Sequence, residues 1–142
     1  MSLRETLLAS VATLLTNTTP AGTNVFRSRV LALIRNVRPA IVVKPSSESV
    51  ENETRPLAAR NLSIEIEIHV RGDVPDQLAD ATAVAAHAVL MADRTLAGKC
   101  AYILETGTQW NFADDDPSTA IIVMSYDIHY VTTFASLATN AI

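Results

Sequence analysis

Residues 62–71 read Leu-Ser-Ile-Glu-Ile-Glu-Ile-His-Val-Arg. Leu62, Ile64, Ile66, Ile68 and Val70 are apolar, while Ser63, Glu65, Glu67, His69 and Arg71 are polar. Strict alternation over this length is the pattern of a strand with one buried face and one wet face. Wound as a helix, the same residues would scatter around the whole circumference. The stretch therefore has to lie in a sheet that something apolar covers on one side only.

A chain of 142 residues suits one domain with a sizeable core. Its apolar fraction of 49% leans on alanine, and aromatics are only 5%, so helix contacts should be thin. A net charge of -4 argues against general nucleic-acid binding. The charge is uneven. Residues 1–60 hold eight bases against four acids, and the remainder holds three against eleven. Such halves can pair within the fold or between neighbouring copies. Cys100 is the single cysteine, so no internal disulfide is possible, and its apolar setting suggests an inert buried thiol. The longest apolar run, 83–92, contains His87 and is too short to cross a membrane. Glu5 cancels Arg4 where a secretion signal needs positive charge, so the three Asn-x-Ser/Thr triplets read as chance matches in a cytoplasmic product.

Taken in order, Ser2-Leu3-Arg4-Glu5 reads as a capping box. Leu3, Leu7, Leu8, Val11, Leu14 and Leu15 then make one apolar helix face. Residues 17–22 form a loop. Residues 24–37 fit either a helical stripe or a short strand followed by a loop. Residues 39–44 form a short strand opening at Pro39, where proline is tolerated. The polar, proline-flanked run 45–56 reads as a mobile hairpin loop leading into the alternating strand. Asp73-Val74-Pro75-Asp76 starts a second helix, with Asp73 as the cap. Leu78, Ala81, Ala85, Ala88, Val89 and Ala92 are its expected core stripe, and Leu96-Ala97-Gly98 closes the element. Residues 100–105 are a third strand, 107–117 a turn carrying Trp110 and Phe112, and 119–132 a long β-rich fourth strand. The expected fold is α+β in the order α-β-β-α-β-β. It has a four-stranded, mainly antiparallel sheet with two helices on one face. One domain should span 1–133, with a flexible tail at 134–142.

No residue set assembles a recognisable active site. His69, His87 and His129 fall in three separate elements without metal-ligand spacing, and read as structural histidines. Glu65, Glu67 and His69 share the wet strand face, where a solvated surface outweighs paired-carboxylate chemistry. No glycine-rich phosphate loop exists. Two features rise above this background. Arg27, Arg29, Arg35, Arg38 and Lys44 fall in an acid-free stretch that lacks the interleaved aromatics of single-strand binders, so a protein contact is favoured. Asp114, Asp115 and Asp116 are adjacent like charges that call for solvent, a neighbour's arginines or a hard divalent ion.

The order and spacing of several weak pieces resemble phage tail terminators of the minor tail protein U type. These pieces are the Phe26 and Arg29 patch and the strand Pro39-Ala40-Ile41-Val42-Val43. They continue with the alternating strand running into Val74-Pro75-Asp76 and a long helix. Last come Gly107, Trp110, Asp114–Asp116 and Ile128-His129-Tyr130. The resemblance covers residues 2–132. It favours the short strand and loop over the helix at 24–37. It implies a structural subunit, not an enzyme, with no cofactor. Six copies would form a ring that caps the tail tube, stops its polymerisation and offers a surface to the head. The implied partners are other copies of the chain, the major tail tube protein and a head-completion protein. There is no membrane, and nucleic acid enters only as DNA passing through the lumen. The implied location is the virion tail, after synthesis in the bacterial cytoplasm. On this reading Arg27, Arg29, Arg35, Arg38, Lys44, Trp110 and Asp114–Asp116 lie at assembly surfaces. The extra polar run 45–56 and the longer tail depart from the family pattern. A head–tail adaptor and a small nucleic-acid-binding module are the alternatives.

Overall fold

The computed structural model describes residues 1–28, 39–54 (backbone only at 52–54), 56–112 and 118–140. The elements are α1 (Leu3–Leu15), β1 (Val25–Arg27), β2 (Ala40–Thr54), β3 (Leu57–Arg71), α2 (Pro75–Ala92), β4 (Tyr102–Phe112) and β5 (Thr119–Thr133). The strands form one sheet in the order β1-β2-β3-β5-β4. The alternating stretch lies in β3, at the centre. Ile66 and Ile68 are fully buried, as the alternation requires, and Leu62, Ile64 and Val70 are nearly so. Both helices bury their apolar residues against this same sheet face in one continuous core. Each fully buried leucine or isoleucine there contributes about 1.5–3 kcal/mol relative to exposure.

The α+β class holds, but the sheet has five strands and is mixed. The fifth is β1, which runs parallel to β2 with Val25 opposite Ile41 and Arg27 opposite Val43. Three residues are too few to display alternation, so this strand shows itself only through its partner.

The loop expected at 45–56 is instead strand through Thr54, and β2 and β3 make one long hairpin. Pro45 is accommodated because the ladder shifts register between Pro45 and Ser47, an irregularity where a missing N–H costs little. Polar residues hold this segment from their side chains, as in Ser46 Oγ donating to the Ser63 carbonyl at 3.1 Å. The turn expected at 107–117 is likewise strand up to Phe112. Gly107 marks another register shift, between Glu105 and Gly107, and not the start of a turn. Residues 134–140, expected as a loose tail, fold back along the sheet. Asn140 bridges to Thr132, the Thr133 N–H donates to the Thr139 carbonyl, and Leu3 N–H donates to the Leu137 carbonyl at 2.9 Å.

Helix α1 buries Leu3, Leu7, Leu8, Val11 and Leu15, with Leu14 half-buried at the margin. Ser2 Oγ accepts from the Glu5 N–H at 3.2 Å, but the Glu5 carboxylate turns to Arg27 instead of closing the box. Helix α2 is rotated from its expected face. Its buried residues are Pro75, Ala79, Thr82, Ala86 and Leu90, whereas Leu78 and Val84 are more than half exposed. Alanine lies on every side of this helix, so apolar period alone does not choose a face. Its cap is Val74, without a side-chain bond, and not Asp73.

Candidate assembly surface

The sheet face away from the helices carries an ion-paired row. Lys44 Nζ lies 2.6 Å from Glu67 Oε2 and 3.9 Å from Glu65 Oε1, and His69 Nε2 lies 3.2 Å from Glu67 Oε1. The register explains the grouping, since Lys44 opposes Glu65 and Val42 opposes Glu67 on adjacent strands. Burial pushes the Glu67 carboxyl up, but the bonds from Lys44 and His69 outweigh it and hold it below the ordinary range. The Glu67 bond raises Lys44 in turn. Glu65, Glu67 and His69 thus share a face as expected, but they are half-buried and partnered, not exposed. Further along the face, Asp127 accepts from Ser63 Oγ at 2.7 Å and Asn61 Nδ2 at 3.1 Å, and Tyr102 stacks on His129.

On the helix face, the far end of the hairpin ends in a charged knot that the residue pattern does not reveal. Glu48 lies 3.0 Å from Arg4 Nη2 and 3.3 Å from Arg60 Nη1, and accepts the Tyr130 hydroxyl. Arg60 Nε also donates to Thr132 Oγ1 at 2.9 Å. Burial pushes the Tyr130 phenol well up, and its bond to the Glu48 carboxylate adds to that. In the sequence Glu48 is one acid in a polar run. Only the register, which sets it opposite Leu62 on the core face, shows its role.

Between α2 and β4 lies an open apolar groove of about 430 Å³. Ala83, Val84, Thr108, Trp110, Ile122 and Met124 line it, with the acids Asp76, Asp80 and Glu105 around it. Within it, His87 Nδ1 meets the buried Tyr126 hydroxyl at 2.8 Å and lies 3.8 Å from Glu105 Oε2. A fully buried phenol needs a partner, and the imidazole supplies one. This arrangement satisfies Tyr126; it presents no activated nucleophile. Among the described residues no group of His, Cys, Asp or Glu is placed to hold a metal ion, and no helix is long and apolar enough to cross a membrane.

The rim of the groove is an edge of the sheet. Strand β4 pairs with β5 on one side and has no strand on the other among the described residues. Of its residues only Ile103 is buried; Tyr102, Leu104, Trp110 and Phe112 are exposed by 41–55%. Of the residues expected at assembly surfaces, Trp110 therefore stands at an open edge beside the groove. Arg27 and Lys44 lie on β1 and β2 and are occupied internally, Arg27 by both oxygens of Glu5 at 3.1 Å and Lys44 by Glu67. Arg29, Arg35, Arg38, Asp114, Asp115 and Asp116 lie outside the described residues.

No family model matches the chain, and no curated protein matches it. Among solved structures it is similar to a chain from the virion of a native gene transfer agent particle, with 12% identity over 90% of each chain and a TM-score of 0.42.

Proposed function

We propose that this chain is a structural subunit of a phage-like virion and that it works by assembling into a ring that terminates the tail tube and presents a surface to the head. The single observation that carries an assembly role is the open β4 edge. An eleven-residue edge strand with four large exposed apolar side chains and no lysine, arginine or proline is guarded against pairing only by Glu105 and the irregularity at Gly107. On a working subunit such an edge is a place for a neighbour. The tail-terminator assignment within that role is supported by the ordered sequence resemblance over residues 2–132. In this proposal the ring is a homohexamer, its further partners are the major tail tube protein and a head-completion protein, and it performs no catalysis. Arg29, Arg35, Arg38 and the Asp114–Asp116 run serve contacts between copies or with the tube.

Deletion of the coding sequence from the phage or prophage, followed by electron microscopy of the particles, tests the assignment. Loss of a terminator gives overlong tubes. Tails of normal length left unjoined to heads would instead identify a head–tail adaptor.

A further inference from the structure

Among the described residues the sheet has a second open edge, on the opposite side from β4. Strand β1 covers only Ile41–Val43 of β2. Beyond it, residues 44–51 of β2 have no strand on their outer side among the described residues. The two edges match in direction. Strands β2 and β1 run one way, β3 the other, β5 with β2, and β4 against them. A cyclic operator whose axis follows the strands preserves every strand direction. It therefore sets β4 of one copy antiparallel to β1 and β2 of the next, the more stable pairing.

The edges also match in height and chemistry. Reading the register across the sheet, Trp110 is level with Ile122, Ile68, Ile41 and Val25. Thr108 is level with Met124, Ile66, Val43 and Arg27, and Tyr102 with His129, Asn61 and Ser49. Trp110, Thr108, Val25 and Arg27 all belong to the helix-side face. The groove, apolar with Asp76, Asp80 and Glu105 around it, thus opens toward the side of the neighbour that carries the Arg27–Glu5 pair.

We propose that the β4 edge of each copy is completed by the β1–β2 edge of a second copy of this chain, so that the sheets run on from subunit to subunit. Trp110 then packs at the level of the neighbour's Val25, and the neighbour's Arg27, held by its own Glu5, lies on the groove side of the sheet. The inference rests on the ring reading above and gives that ring its interface. Being head-to-tail, a contact between two copies leaves the pair one free edge of each kind, and the assembly closes when the rotation per copy divides a full turn.

Hydrogen exchange on the full-length protein, compared between its assembled and dissociated states, tests the pairing. Amides of β4 and of residues 44–49 are expected to slow together, by about tenfold or more, on assembly. Rings in which neither segment slows would overturn the pairing while leaving the ring reading intact. Rings in which β4 slows and 44–49 does not would also overturn it, since β4 would then be covered by something else. A folded chain that never assembles, alone or with tail tubes, would remove the ring reading and the pairing with it. Trp110→Lys adds a second readout. It should abolish assembly while leaving the monomer folded, because the side chain is 55% exposed; rings of unchanged stability would contradict the proposal.

Discussion

The Arg4 guanidinium lies 3.0 Å from the Glu48 carboxylate and thereby ties the first turn of α1 to the outer half of β2. Glu48 and Arg60 retain only 11% and 10% of their side-chain exposure. Tyr130, almost fully buried, donates to the same carboxylate. Removing the acid strands two guanidinium groups and a phenol at once. Glu48→Ala is expected to lower the unfolding free energy by about 3 kcal/mol, the cost typical of breaking a buried pair from one side. Arg4, at 37% side-chain exposure, sits where water screens the interaction. Arg4→Met should cost less than about 1 kcal/mol. Urea unfolding of both variants measures the contrast, and equal losses would mean that the knot does not hold the hairpin.

Thr82 faces the core from α2, fully buried, and its hydroxyl has no hydrogen-bond partner among the described residues. Thr82→Val keeps the shape and removes the unsatisfied oxygen. It should raise the unfolding free energy by about 1 kcal/mol. The same variant should leave assembly untouched, since the residue faces away from solvent.

The Glu67 row gives a pH dependence whose sign follows from its shift. A carboxyl held low in the folded state contributes stability above the ordinary glutamate value, about 4.3. That contribution is lost as pH falls through its lowered folded value. Lys44, raised by the same bond, contributes below the ordinary lysine value and loses the contribution as pH rises through its raised one. Glu67→Gln should therefore be less stable than the parent at neutral pH, and the two should converge on acidification toward pH 3. A gap that persists in acid would mean that the residue acts by packing instead of charge.

Cys100 is 3% exposed, and its Sγ lies 3.5 Å from the Arg94 carbonyl. Burial pushes the thiol up to about 11, with the Asp93 charge adding to it. At pH 8 the native thiol should react with a soluble disulfide reagent at least about 100-fold more slowly than in the unfolded chain. Labelling at the unfolded rate would place Cys100 at the surface.

How much of this was legible in the residues depends on period. Leu62–Val70 and the α1 leucines repeat cleanly, so both elements and their buried faces could be read directly. Helix α2 could be recognised as a helix but not oriented, because Ala81, Ala85 and Ala88 are as small and apolar as the buried Ala79 and Ala86. The β2–β3 hairpin was hidden by Pro45 and its serines and glutamates. Those residues form strand because a register shift absorbs the proline and because Glu48 finds cations across the fold. Trp110 stood out in the sequence as an aromatic in an expected turn, assigned to an assembly surface. The groove beside it brings together residues more than 40 positions apart, which only the topology places side by side.

In the proposed role, copies of this chain assemble into a closed ring. Light scattering on size-fractionated protein, with electron microscopy of any large species, tests it most directly. One discrete species of roughly six copies that images as a ring is expected, lost in Trp110→Lys. A mass of 15.3 kDa, that of a single chain, at every concentration and salt condition and in the presence of tail tubes would contradict it.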